Sequence, residues 1–310
     1  MINLLASQKY DYLKQSLLKK QKDFKNITIE EQCFPDGERY FRIKNVEDIA
    51  GKPAVYICGT VNDEAILEAY NMGCTLVREG CSSLHLVVPY YGYSTMERTS
   101  NSGENVSAKN IAHLFSAIPL AAQGNHIYMV DLHSLSIQYY FEQNIHPVHL
   151  STEPIIDKII KEIKKGRKVV LASTDVGRVK WVEKTCSRLG LDGAYIIKKR
   201  LSGSETAVEA FNADVKGKDV IIFDDMIRSG SSIIGAAKTY KSLGAKDIFV
   251  VCVHGVFVEG AIEKMKKSGI IKGVYCTNTH AKTQSVKDKF VHVYDMSAII
   301  KQGLKLNLKD

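Results

Sequence analysis

The chain has 310 residues, 45% of them hydrophobic and 25% charged, with a net charge of +8. This is the make-up of a globular protein long enough for two domains. No apolar run approaches the length of a membrane span, and no basic stripe interleaved with aromatics speaks for RNA, so membrane insertion and nucleic-acid binding are set aside. The positive excess suits anionic ligands such as nucleotides, but most lysines gather at helix ends, as in KEIKKGRK and KMKKSG, where a solvated surface explains them.

The N-terminal stretch MINLLASQKYDYLKQSLLKK lacks a basic start, a long apolar core and a small-residue cleavage site, so no secretory leader is expected. Short apolar runs then alternate with helical patterns. Strands are expected at 54–59, 83–90, 126–132, 168–173, 193–199, 219–225, 247–255, 273–279 and 290–296. Most are nearly continuous apolar runs, the mark of parallel strands covered on both faces. Helices are expected in NDEAILEAYNMGCTLVREG, EPIIDKIIKEIKKG and SIIGAAKTYKSLG, the last stopped by Gly244. The alternation predicts α/β architecture with right-handed crossovers. The strands fall into two sets, one ending near 146 and the next starting near PIIDKII. Domains 1–148 and 149–310 are therefore expected, packed closely because no Gly/Ser linker separates them, with the last helix free to pack back on the first domain. Seven cysteines show no metal-ligand spacing, and Cys58 and Cys252 sit inside apolar runs. They read as buried thiols of a protein in a reducing cytoplasm.

The most telling stretch is VIIFDDMIRSGSS, residues 220–232. An apolar strand runs into Asp224 and Asp225, then into a small, hydroxyl-rich turn and a helix start. In open α/β sheets ligands bind beyond the carboxyl ends of strands. Converging amides and the helix dipole there favour an anion. Ser229, Ser231 and Ser232 add hydroxyl donors, and Gly230 allows close backbone approach. The loop suits a phosphate and the carboxylates suit sugar hydroxyls, which together describe a phosphorylated ribose. The bland alternative is a strand-end turn in which Ser231 or Ser232 caps the helix.

This pattern resembles the phosphoribosyl-binding loop of the phosphoribosyltransferase fold. Further stretches carry the resemblance along the chain: FPDGER (34–39), PYYGYSTMER (89–98), VSAKNIAHL (106–114), VDLHS (130–134), STDVG (173–177), KKRLSGSE (198–205) and VHGVF (253–257). They occur in the order seen in ribose-phosphate pyrophosphokinases, the phosphoribosyl pyrophosphate synthetases. The resemblance implies two type I phosphoribosyltransferase-like domains, each a mostly parallel sheet flanked by helices. It implies transfer of a diphosphoryl group from ATP to the 1-hydroxyl of ribose 5-phosphate with release of AMP, assisted by Mg²⁺. Ser229, Gly230, Ser231 and Ser232 match the sugar-phosphate loop, and Arg228 beside them either helps hold the phosphate or points to solvent. His133 and Asp175 match the family's metal positions, and His133 also contacts the nucleotide phosphates. Lys198 and Arg200 match its catalytic Lys-x-Arg pair, and the stretch after them reads as a mobile closing loop. Phe34, Asp36 and Glu38 match a hairpin that receives adenine and that a neighbouring subunit contributes, so a homo-oligomer, a dimer or larger, is implied. Arg98 is retained beside the nucleotide.

Two places depart from the family pattern. Thr95 and Met96 replace an arginine and a glutamine that contact the nucleotide, which brings the chain closer to a divergent class best known from plants, relaxed in nucleotide donor and insensitive to phosphate and ADP. Arg228 stands where an acid or glutamine is usual, and Ser231 where glycine is usual. Three readings follow: an active synthetase, a non-catalytic nucleotide-binding homologue, and, behind both, a phosphoribosyltransferase of nucleotide salvage. The last has no need of FPDGER, VDLH and a complete second domain.

Overall fold

The structure is a computed structural model. It describes residues 1–310 apart from 21, 143, 203–204, 212–213 and 309–310, and side chains are further left undescribed at 197–202, 205–211 and 306–307. The chain divides into two compact units, Met1–Ser151 with Ser297–Asp310, and Thr152–Met296.

The first unit runs β1 (Ile2–Ala6), α1 (Asp11–Lys20), β2 (Phe24–Asn26), β3 (Ile29–Cys33), β4 (Arg39–Ile43), β5 (Ala54–Ile57), α2 (Asp63–Arg78), β6 (Leu84–Val88), α3 (Ser107–Ser116), β7 (Asn125–Val130) and β8 (His146–Leu150). Its main sheet has the order β2-β1-β5-β6-β7-β8, parallel throughout, and β3 and β4 pair separately as an antiparallel hairpin. Helix α2 forms because Ile66, Ala69, Met72 and Leu76 recur at helical spacing and Asn62 caps its start by accepting from the Ala65 amide at 3.1 Å. That face packs on Tyr56, Leu86 and Met129 in a continuous core. Three parallel strands escape the sequence pattern. β1 is only five residues long, β2 is three, and β8, HPVHL, is an edge strand whose polar residues and proline break the apolar run.

The second unit runs α4 (Glu153–Lys164), β9 (Val169–Ser173), α5 (Val179–Leu189), β10 (Asp192–Ser202), β11 (Glu205–Phe211), β12 (Asp219–Ile227), α6 (Ser231–Ser242), β13 (Ile248–Gly255), α7 (Ala261–Lys267), β14 (Ile271–Thr277) and β15 (Val291–Tyr294). The closing helix α8 (Ser297–Asn307) belongs to the first unit. The sheet order is β11-β10-β9-β12-β13-β14-β15, parallel except for the antiparallel edge strand β11. Ile156, Ile159, Ile160 and Ile163 give α4 one buried stripe. Both units are thus α/β, as the alternation predicts. Among the described residues, no helix is long and apolar enough to cross a membrane.

The closing loop expected after Arg200 is corrected. Residues 205–211 form β11, paired with β10 from Tyr195↔Phe211 to Arg200↔Thr206. The reason lies in β10, which pairs with β9 only over Asp192–Ala194. The rest of its backbone needs another hydrogen-bonding partner, and β11 supplies it. Lys198 and Arg200 therefore lie within a strand by backbone, and their side chains lie outside the described residues.

Candidate active site

In the second unit the two carboxylates do not end their strand. β12 continues to Ile227 because β13 stays beside it in register to Ile227↔Gly255. On the other side, pairing with β9 stops at Phe223↔Ser173. Asp224 and Asp225 follow directly, where one neighbouring strand has ended and the sheet opens. Thr174, the first residue after β9, donates its hydroxyl to Asp224 Oδ2 at 3.1 Å, and the Asp225 amide donates to Asp224 Oδ1 at 2.9 Å. Arg178 reaches both acids: Nη2 lies 2.6 Å from Asp225 Oδ2, and Nε lies 3.8 Å from Asp224 Oδ1. Burial, and then the Asp225 charge, push the Asp224 carboxyl well above the usual carboxylate range, to about 8, while Arg178 and Thr174 pull the other way. Sequence reasoning passed over Thr174 and Arg178. The motif STDVG includes the threonine and stops one residue short of the arginine.

Beyond β12, Arg228 and Ser229 are exposed and Gly230 is buried. Gly230 is the N-cap of α6, in the left-handed region at φ 72°, and a Cβ there would meet Met265 Cγ at 2.7 Å, so glycine is required twice over. Ser231 and Ser232 open the helix as its first two residues, so neither is its cap. Ser229 Oγ lies 3.1 Å from Ser231 Oγ and accepts from the Ser231 amide at 3.4 Å. The helix start therefore presents exposed hydroxyls and amides to solvent.

Asp175 begins the short turn Val176–Arg178, and its Oδ1 accepts from the Gly177 amide at 2.9 Å. Among the described residues, no group of three or more His, Cys, Asp and Glu side chains gathers as a metal-holding cluster.

In the first unit, residues 34–38 form the tip of the β3–β4 hairpin. The Phe34 amide donates to Glu38 O at 2.8 Å, the Gly37 amide to Phe34 O at 2.9 Å, and the Glu38 amide to Asp36 Oδ1 at 3.0 Å. Asp36 thereby shapes the turn with one of its oxygens. Phe34 is 40% exposed, its ring edge-on to Tyr40 at 6.2 Å. His133 follows β7 and is half-buried. Arg98 is exposed, with its Nε 3.6 Å from Glu97 Oε1. Gly92, in the turn before it, lies so close to the Thr60 carbonyl that a Cβ has no room, and its amide donates to Thr60 Oγ1 at 2.6 Å.

Paired carboxylates followed by a glycine-capped helix start, at the opening of a parallel sheet, define an α/β protein of the phosphoribosyltransferase type. Residues 2–118 match the family described as the N-terminal domain of ribose phosphate pyrophosphokinase, and residues 203–307 match the phosphoribosyl synthetase-associated domain. A ribose-phosphate pyrophosphokinase of Pyrococcus abyssi is 32% identical over 90% of this chain and 91% of its own length. One of Methanothermobacter thermautotrophicus is 34% identical over 81% of this chain and 84% of its own. The crystal structure of phosphoribosylpyrophosphate synthetase from Mycobacterium smegmatis superposes with a TM-score of 0.87 at 25% identity, covering 100% of this chain and 99% of that one. The chain belongs to the ribose-phosphate pyrophosphokinase family.

Proposed function

We infer that the chain transfers the diphosphoryl group of ATP to the 1-hydroxyl of ribose 5-phosphate, giving phosphoribosyl pyrophosphate and AMP. The observation that carries this is family likeness over nearly the whole chain, from a relative sharing 32% identity across 90% of it. The local geometry supports it. Asp224 and Asp225 are acceptors for ribose hydroxyls. Arg228, Ser229, Gly230, Ser231 and Ser232 hold the 5-phosphate with amides, hydroxyls and a guanidinium, at the start of α6 where the helix dipole favours a dianion.

Asp175, in the second unit, would hold a divalent cation, Mg²⁺ by preference, and His133, in the first, is the other position that the resemblance assigns to metal. With so few protein ligands, such a cation completes its shell with water and substrate phosphate, which is how Mg²⁺ ordinarily binds. When bound, it neutralises the polyphosphate. Lys198 and Arg200 meet the charge that develops on the transferred group; this assignment rests on the resemblance alone. Phe34 stacks on adenine, Asp36 and Glu38 accept its hydrogen bonds, and Arg98 and His133 contact the phosphates. An aromatic hairpin tip open to solvent supports a homo-oligomer in which a second copy covers it.

Thr95 and Met96, both exposed in the turn after Gly92, support placement in the divergent class with relaxed donor choice. All seven cysteines are free thiols, which supports a reducing compartment such as the cytoplasm. The test is incubation of the purified protein with ATP, Mg²⁺ and ribose 5-phosphate, following AMP. Turnover that depends on the sugar phosphate supports the reading, and Lys198→Ala should cut turnover far more than nucleotide binding. Sugar binding without AMP release contradicts it.

A further inference from the structure

Lys264 sits in the middle of α7, and its Nζ donates to Ser231 Oγ at 2.8 Å. The next residue, Met265, is the one that fills the space beside Gly230. Two consecutive residues of α7 therefore touch two consecutive residues of the phosphate loop. The same loop is tied to the turn leading into α7 by hydrogen bonds from Phe257 N to Ile227 O and from Val258 N to Arg228 O, both 3.0 Å. The lysine is thus held at the loop by backbone as well as by its own contact.

A serine hydroxyl has one proton to give and two lone pairs to receive with. When Lys264 donates into Ser231 Oγ, the hydroxyl proton must turn away from the ammonium. Ser229 Oγ, 3.1 Å off, is one place for it. A phosphate oxygen at the α6 start is the other. The ammonium also adds a full charge to the partial positive charge of the helix end. Ser231 stands where the family usually has glycine, which offers no hydroxyl for such a relay. Lys264 itself belongs to KMKKSG, a run that reads as solvated surface in the sequence. Its neighbour Lys266 is held by Asp288 at 2.8 Å, whereas Lys264 is turned to the loop.

We propose that Lys264 is a positioning residue for the 5-phosphate of ribose 5-phosphate, acting through the Ser231 hydroxyl. This rests on the reading of the 228–232 loop given above. The lysine orients the serine proton toward the phosphate and strengthens it as a donor, so it governs affinity for the sugar phosphate and leaves nucleotide binding alone.

The experiment measures steady-state constants and, by calorimetry without nucleotide, direct binding of ribose 5-phosphate to the full chain. Lys264→Ala should raise KM and Kd for ribose 5-phosphate about fivefold to tenfold, the usual weight of one charge-assisted hydrogen bond. KM for ATP and kcat at saturation should stay within about twofold, and Lys264→Arg should restore most of the loss. Ser231→Gly should produce a loss of the same size, and adding Lys264→Ala to it should change nothing more. Unchanged sugar affinity in Lys264→Ala, an equal rise in both KM values, or additive losses in the double variant overturns the proposal. A wild-type chain that neither turns over nor binds ribose 5-phosphate overturns the reading of the loop itself. One that binds the sugar as well without Lys264 as with it overturns this proposal alone.

Discussion

Arg178 Nη2 stands 2.6 Å from Asp225 Oδ2, and both side chains are largely withdrawn from solvent. The strand that carries the acid and the turn that carries the base come from different crossovers of one sheet. The contact therefore joins the turn after β9 to β12 at the point where their pairing stops, and holds charge where the sheet opens. Removing the cation leaves a buried carboxylate without its partner. Arg178→Met should lower unfolding free energy by about 3 kcal/mol in urea titrations. Lys should recover part of it. A loss below about 0.5 kcal/mol would show that the pair carries no structural weight.

Asp224 should make stability depend on pH. Its carboxyl is raised in the folded chain, first by burial and then by Asp225, to about 8. A raised folded value means the protonated form is the one the fold favours. That contribution is complete below about pH 4, the ordinary carboxylate value, and is lost as pH rises through about 8. Asp224→Asn removes the ionisation, so its melting temperature should equal the wild type's at pH 4 and exceed it by about 2–8 °C at pH 8.5. Activity should fall in the same variant above about pH 8, where the wild-type carboxyl is ionised and the amide supplies no anionic acceptor. A variant less stable than wild type at alkaline pH contradicts the assignment.

Gly230 is closely packed against Met265 within the 228–232 loop. Gly230→Ala places a Cβ 2.7 Å from Met265 Cγ on a backbone at φ 72°. The expected cost is about 1–3 kcal/mol of stability, with KM for ribose 5-phosphate rising and KM for ATP nearly unmoved. Calorimetric unfolding and the two KM values check it. Equal effects on both substrates would place the loop elsewhere in the reaction.

The hairpin tip makes a prediction in trans. Phe34 is exposed, so Phe34→Ala should change stability by no more than about 0.5 kcal/mol while raising KM for ATP. If the tip serves a neighbouring copy, then at an ATP concentration too low for Phe34→Ala alone to turn over, mixing Phe34→Ala and Lys198→Ala proteins and letting subunits exchange should restore about a quarter of wild-type activity in a dimer with two shared sites. No recovery after exchange shows that each copy uses its own hairpin.

Much of this was legible in the chain, and the exceptions have physical reasons. Val220–Phe223 announce a buried strand by their continuous apolarity, and β12 carries it. The strand's true end at Ile227 was not legible, since it depends on β13 continuing beside it. β11 was missed because small and polar residues mask a strand whose cause is the unpaired edge of β10. Arg178 and Lys264 were missed for a different reason. A lone cation in a turn, or one among several in KMKKSG, carries no sign in sequence of which way it faces. Only the packing of the turn after β9, and of α7 against Gly230, selects them.

The central claim, that the acid pair and the helix start after it receive ribose 5-phosphate for diphosphoryl transfer, is tested most directly by phosphorus NMR. The purified chain is given ATP, Mg²⁺ and ribose 5-phosphate, and the spectra are followed for wild type and Asp225→Asn. The account predicts loss of ATP matched one for one by AMP and by a new diphosphate bonded to the sugar, with the rate falling by about two orders of magnitude or more in the variant. ADP in place of AMP, or a variant as fast as wild type, contradicts it.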